Sequence, residues 1–164
     1  MAAREQVAVD TSLLVGLVDR RDKWHTDGVA LREALKAGGF EMVYFDCVIN
    51  ETVSVLARRA RERNRTEEFA SLFANLVSTV PQQSITWLSA ETERLYPEIM
   101  ALVRDSDGDL NFHDALIALG SREFEIRWVA SFDGDFDLIP WATRLAAPDH
   151  IADLLQDEGP TTKD

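Results

Sequence analysis

The residues best suited to chemistry are four acids spread along the chain, Asp10, Glu51, Asp114 and Asp133. Asp10 follows Gln6-Val7-Ala8-Val9, a run with almost no alternation of polar and apolar residues. Such a run reads as a short strand covered on both faces, as in parallel sheets. Asp10 then stands at the strand's carboxyl end, where open α/β sheets bind their ligands. Asp133 lies just past Arg127-Trp128-Val129-Ala130-Ser131, which reads as another strand. Glu51 falls near the start of the helix after the second strand, and Asp114 near the start of the helix before the fourth. Strand ends and the helix starts that follow them share one edge of a parallel sheet, so the four acids are expected to gather there.

Each acid also has a plainer role. Asp10 or Ser12 could cap a helix, and Asp114 sits three residues after its own cap, Asn111. Glu51 could lie on a helix surface, and Asp133-Gly134 could be a turn pair. What these roles do not explain is four anions at one end of one sheet. The chain offers no lysine beyond Lys23, Lys36 and Lys163 to offset them. A divalent cation is the simplest counter-charge, and all-oxygen ligands favour Mg²⁺ or Mn²⁺ over zinc. Such a site can hydrolyse a phosphodiester. One ion lowers the pKa of a bound water, and a second steadies the leaving oxygen in an in-line displacement. No Ser-His-Asp or Cys-His pairing offers another nucleophile, and the three histidines lack metal-ligand spacing.

The elements that must position these acids can be read from pattern. Helices are expected after the first strand, from about 25 to the Gly38-Gly39 stop, and over 47–63 with Asp46 as N-cap. Further helices are expected over 65–79, 90–104, from Asn111 onward, and over 148–156. Strands are expected at 40–45, 84–88, 127–131 and, shorter, 144–147. Alternating strands and helices imply an α/β fold with a mostly parallel sheet of four to five strands and helices on both faces. With no repeat or linker, residues 1–156 read as one domain and 157–164 as a polar tail.

Composition narrows the partners. Hydrophobic residues make up 46% of the 164, and no apolar run approaches the ~20 residues a membrane span needs. The first six residues lack the apolar core of a secretory signal, and the lone Cys47 fits a reducing cytoplasm. A net charge of −12 argues against a general polyanion binder, but not against a nuclease whose acids hold metal. Arg58, Arg59, Arg61 and Arg63 form the one basic cluster. It is either a cationic helix end or a rim that contacts phosphates or an acidic partner. The four tryptophans, Trp24, Trp87, Trp128 and Trp141, are more often core or interface residues than base-stacking platforms.

Val9-Asp10-Thr11-Ser12-Leu13-Leu14, Val48-Ile49-Asn50-Glu51, His113-Asp114-Ala115-Leu116-Ile117-Ala118 and Ser131-Phe132-Asp133-Gly134-Asp135-Phe136 resemble, in order, the motifs of PIN-domain ribonucleases. The resemblance runs from about Val7 to Leu155 and is nearest to VapC-type toxins. It implies a three-layer α/β/α fold with the first strand central, and a Mg²⁺- or Mn²⁺-dependent ribonuclease. Asp10, Glu51, Asp114 and Asp133 would be its catalytic metal-site acids, with Ser12, Ser131 and Asp135 as accessory residues. It also implies an RNA substrate, a small antitoxin-like inhibitor filling the acidic groove, and a homodimer. Other readings are a PIN-like RNA- or protein-binding module without catalysis, or an acidic-site phosphatase. Against the phosphatase, only 29 residues follow Asp135, too few for the further domain such enzymes need. Asp105-Ser106-Asp107-Gly108-Asp109 starts like a calcium loop but has Leu110 where its glycine belongs.

Overall fold

A computed structural model describes residues 4–157 of the chain. Five strands form one sheet: β1 (Gln6–Val9), β2 (Glu41–Phe45), β3 (Ile85–Thr86), β4 (Trp128–Ala130) and β5 (Thr143–Leu145). Their order is β3-β2-β1-β4-β5, and every neighbouring pair is parallel. The expected parallel α/β architecture is therefore present, with the first strand at its centre. Val7, Ala8 and Val9 have no exposed surface. A strand with nothing exposed is covered on both faces, which is why its sequence carries no polar alternation. Ala8 pairs with Val43 on one side and Val129 on the other, so β1 fixes the register of both halves of the sheet.

Among the described residues seven helices accompany the strands: α1 (Thr11–Val18), α2 (His25–Ala37), α3 (Asp46–Glu62), α4 (Phe69–Thr79), α5 (Thr92–Asp105), α6 (Phe112–Glu123) and, after the last strand, α7 (Pro148–Asp157). α1 begins one residue after Asp10 and is apolar nearly throughout, with Leu13, Leu14, Val15 and Val18 all buried. Such a helix belongs inside, and it packs against both α2 and α3. None of the described helices is long and apolar enough to cross a membrane. The tail expected from residue 157 lies outside the described residues after Asp157, which ends α7.

Three local expectations are corrected. Asp46 does not cap α3. It is the first helical residue, after an extended Phe45, and its carboxylate accepts the N–H groups of Leu88 and Ser89 at 2.7 and 3.2 Å. That capture turns the chain just past Thr86, so β3 has two residues rather than five. The helix expected over 65–79 is broken at its start, because the Arg65 side chain turns inward to Asp19 and Thr66–Glu68 form a 3₁₀ turn. On α4, Leu72 and Leu76 are buried and Phe73 is 43% exposed.

Candidate active site

The site begins where β1 and β4 end side by side. The Asp10 N–H donates to the Ala130 carbonyl at 3.0 Å, extending the strand ladder to the acid itself. Asp10 Oδ2 then accepts three hydrogen bonds: from Ser12 N (3.1 Å), Ser12 Oγ (2.7 Å) and Ser131 Oγ (2.7 Å). Both hydroxyls also accept from the following loop, Ser12 Oγ from Phe132 N and Ser131 Oγ from Asp133 N. Two serines thus tie Asp10 to the segment that carries Asp133. Burial pushes the Asp10 carboxyl above its ordinary pKa, although the hydrogen bonds from Ser12 and Ser131 work against the rise.

Asp114 combines its two readings. Asn111 Oδ1 accepts from His113 N and Asp114 N, and Asp114 Oδ2 accepts from Asn111 N at 2.9 Å, forming a complete capping box. The same carboxyl is pushed up to about 7, by burial first and then by the charges of Asp10, Asp133 and Glu51. A cap alone would not feel three other acids. Glu51 is turned by a residue the sequence pattern did not single out: Thr11 Oγ1 donates to its Oε2 at 2.8 Å. A hydroxyl one residue past the strand-end acid was the only hint. Asp133 caps its own turn by accepting from Asp135 N at 3.0 Å.

Asp10, Glu51, Asp114 and Asp133 all line one open cavity of about 180 Å³, together with Thr11, Ser12 and Asn111. Of the accessory candidates, Ser12 reaches the cavity, Ser131 is fully buried behind Asp10, and Asp135 does not line it. The basic cluster divides. Arg58 and Arg59 line the cavity, whereas Arg61 and Arg63 do not. Helical spacing explains the split, since Arg58 and Arg59 lie seven and eight residues after Glu51 and follow Val55, which also lines the cavity. Arg59 is bound to the buried carboxylate of Asp22.

Among the described residues, no three His, Cys, Asp or Glu side chains stand close enough to form a ready-made metal cage. The acids share a cavity and feel one another's charge without closing on a single point. An all-oxygen, unclosed donor set fits Mg²⁺ or Mn²⁺ better than zinc. Mg²⁺ keeps several of its waters and takes only one or two carboxylates directly.

Comparison with known proteins places the fold. The chain resembles the VapC20 toxin of Mycobacterium tuberculosis, described as cleaving the sarcin–ricin loop, with a TM-score of 0.61 and 22% identity over 83% of this chain and 96% of that one. It also resembles a chain of VapBC2 from Rickettsia felis, solved with a promoter DNA fragment, with a TM-score of 0.60 and 16% identity over 85% and 97%. No curated protein gives a significant match by sequence. The PIN domain model matches residues 7–142, from the first residue of the buried β1 core to just short of β5, and the chain belongs to the PIN domain family.

Proposed function

We propose that the chain is a divalent-metal-dependent endoribonuclease acting in the cytoplasm as the toxin of a toxin–antitoxin pair. The observation that carries this reading is the meeting of Asp10, Glu51, Asp114 and Asp133 in one cavity, from four separate stretches of sequence. The similarity to a toxin described as cleaving the sarcin–ricin loop, and to a VapBC assembly, supports RNA as substrate and an antitoxin as partner. Mg²⁺ or Mn²⁺ held by these acids would offset the charge of the scissile phosphate and polarise a water toward it.

The protein's own part is positioning. The Ser12 and Ser131 hydroxyls hold Asp10 in one orientation, Thr11 holds Glu51, and the Asn111 cap holds Asp114 at the start of a rigid helix. These three carboxylates, with Asp133 beside them in its own turn, repel the RNA phosphate unless a cation is present, which makes cleavage depend on the ion. The inhibitor would be a small protein that fills the same groove, and the active unit a homodimer. The deciding experiment incubates structured and single-stranded RNA with the protein in Mg²⁺ and in excess EDTA. Cleavage with Mg²⁺ that disappears in EDTA is expected. Full activity in EDTA overturns the metal site. Absence of cleavage under every divalent ion leaves a binding module. Light scattering checks the dimer, and an antitoxin-like protein should co-purify.

A further inference from the structure

Beside the acidic cavity lies a second one of about 300 Å³, which shares Ser12, Arg59 and Asp133 with the first. Its remaining wall is Asp22, Lys23, Trp24 and Phe132. In a chain of net charge −12 this wall is unusual, because it joins a cation to flat aromatic surface next to the candidate cleavage site. Trp24 and Phe132 stack with centroids 4.7 Å apart and planes 12° from parallel. The Lys23 ammonium sits 4.9 Å from the Trp24 ring centroid, at the end of an exposed side chain. Asp22 organises the wall. Its buried carboxylate accepts the Trp24 backbone N–H at 2.8 Å and binds Arg59, so the backbone that carries the ring and the guanidinium are set by one group. Gly16 keeps the segment close to α1, since a Cβ there would meet the Trp24 carbonyl oxygen at 3.1 Å.

We propose that this second cavity is a nucleotide subsite, which takes an unstacked base against Trp24 and its phosphate beside Lys23 and Arg59. The inference rests on the nuclease reading and adds to it a single-stranded substrate. A base can lie flat on an indole only when it is out of its own stack, as in loops and single strands. The flexible Lys23 can leave the ring to the base and turn to the adjoining phosphate. Asn and Gln are absent from the wall, so no side-chain amide reads base edges. Stacking on an aromatic ring tolerates every base. Through the ring the subsite selects an exposed base rather than a particular one, and it fixes how the neighbouring phosphate enters the acidic cavity.

The test measures binding of a labelled single-stranded RNA oligonucleotide by fluorescence anisotropy, in the Asp114→Asn background, together with a set of abasic versions of the same strand. Trp24→Ala is expected to weaken binding about tenfold, and Trp24→Phe to retain most of it. Removing the base at one position should weaken binding to a similar degree, and should have no further effect once Trp24 is gone. Trp24→Leu keeps apolar bulk over Phe132 and removes the aromatic face, so it gives the same answer if the alanine variant does not fold. Abasic and Trp24 losses that simply add, or no sensitive position, overturn the subsite. Cleavage by the unaltered chain in Mg²⁺ is scored separately. Cleavage with additive losses leaves the nuclease reading standing without the subsite, and non-additive losses without cleavage do the reverse.

Discussion

Two buried carboxylates, Asp19 and Asp114, show what separates the structural end of this molecule from its chemical end. At the C-terminal end of α1, Asp19 accepts both Nη groups of Arg65 at 3.1 and 3.3 Å and the Arg21 N–H at 3.0 Å. Arg65 also bonds Glu68, which bonds Arg21. Burial raises the Asp19 pKa, but Arg65 and the Arg21 N–H outweigh it and leave the carboxyl below its ordinary value. Asp114 is buried to a similar degree, 6% against 2% exposed, and its pKa moves the other way, to about 7. The difference is company. Asp19 has a fork-shaped cation on it, whereas the charges nearest Asp114 are three more acids. One region satisfies its charges within the chain, and the other leaves like charges facing one another.

The largest effect that would break this contrast is on cleavage. Asp10→Asn keeps the size of the side chain and removes its charge from the centre of the acidic cavity. It should lower the cleavage rate on the order of a thousandfold or more, since a bound divalent ion supplies several kcal/mol at the transition state. Single-turnover cleavage of a cognate RNA measures it. A loss under tenfold would remove Asp10 from the metal site.

On the structural side, Arg65→Ala leaves Asp19 buried without its partner. It should destabilise the fold by about 3–5 kcal/mol, measured by urea denaturation, and equally with or without Mg²⁺. A cost under ~1 kcal/mol would mean that α1 is held to α3 and α4 by packing alone. The two ends would then differ less than their charges suggest.

How much of this is legible in the sequence depends on how local the cause is. The β1–α1 junction is plain, because an unalternating apolar strand, an acid and an apolar helix are adjacent in the chain. The meeting of the four acids follows from strand order, which βα alternation and the family resemblance supply together. Asp46 misleads because a cap-type residue before a helix looks the same whether it serves that helix or another segment. Its partners, Leu88 and Ser89, lie more than forty residues away. Thr11 and the inward turn of Arg65 are hidden for the same reason, as their partners Glu51 and Asp19 are brought near only by the fold. The second cavity is hidden too, since Trp24 and Phe132 come from distant segments and each alone suggests core or interface.

Asp114→Asn sharpens the contrast through pH. A carboxyl whose folded pKa is raised binds its proton more tightly in the folded state. Its contribution to stability is therefore full below about pH 4 and is lost as pH rises through about 7. In chelator at pH 8 the parent carries the unrelieved charge and the variant does not. The variant should melt higher, by about 2–4 °C for each kcal/mol of repulsion removed. The gap should close as pH falls toward 4. The amide oxygen of asparagine can still accept the Asn111 N–H, so the cap survives. Asp114→Ala loses the cap as well and should give back about 1 kcal/mol. Adding Mg²⁺ should raise the parent's melting point more than the variant's. If Asp114→Asn melts lower at pH 8 in chelator, Asp114 is a cap and nothing more.

The smallest effect concerns the four arginines after Glu51, which the sequence pattern treats as one cluster. Arg58 lines the acidic cavity and has only a 4.0 Å, solvent-exposed ion pair with Glu62, which contributes little. It is therefore available to a phosphate. Arg59 also lines the cavity and gives Nη1 to Asp22, leaving the rest of its guanidinium for the phosphate at the second cavity, and Arg61 and Arg63 lie outside the lining. Removing one arginine that neutralises a phosphate should reduce the salt slope of RNA binding by about 1. Arg58→Ala should show that reduction, and Arg61→Ala should show none. Arg59→Ala should have a wider effect, because it frees the buried Asp22 that holds Trp24, so binding should fall beyond what the change in slope accounts for. Equal slopes for Arg58→Ala and Arg61→Ala would mean that RNA follows the helix surface rather than the cavity, and the cluster would act as one diffuse charge.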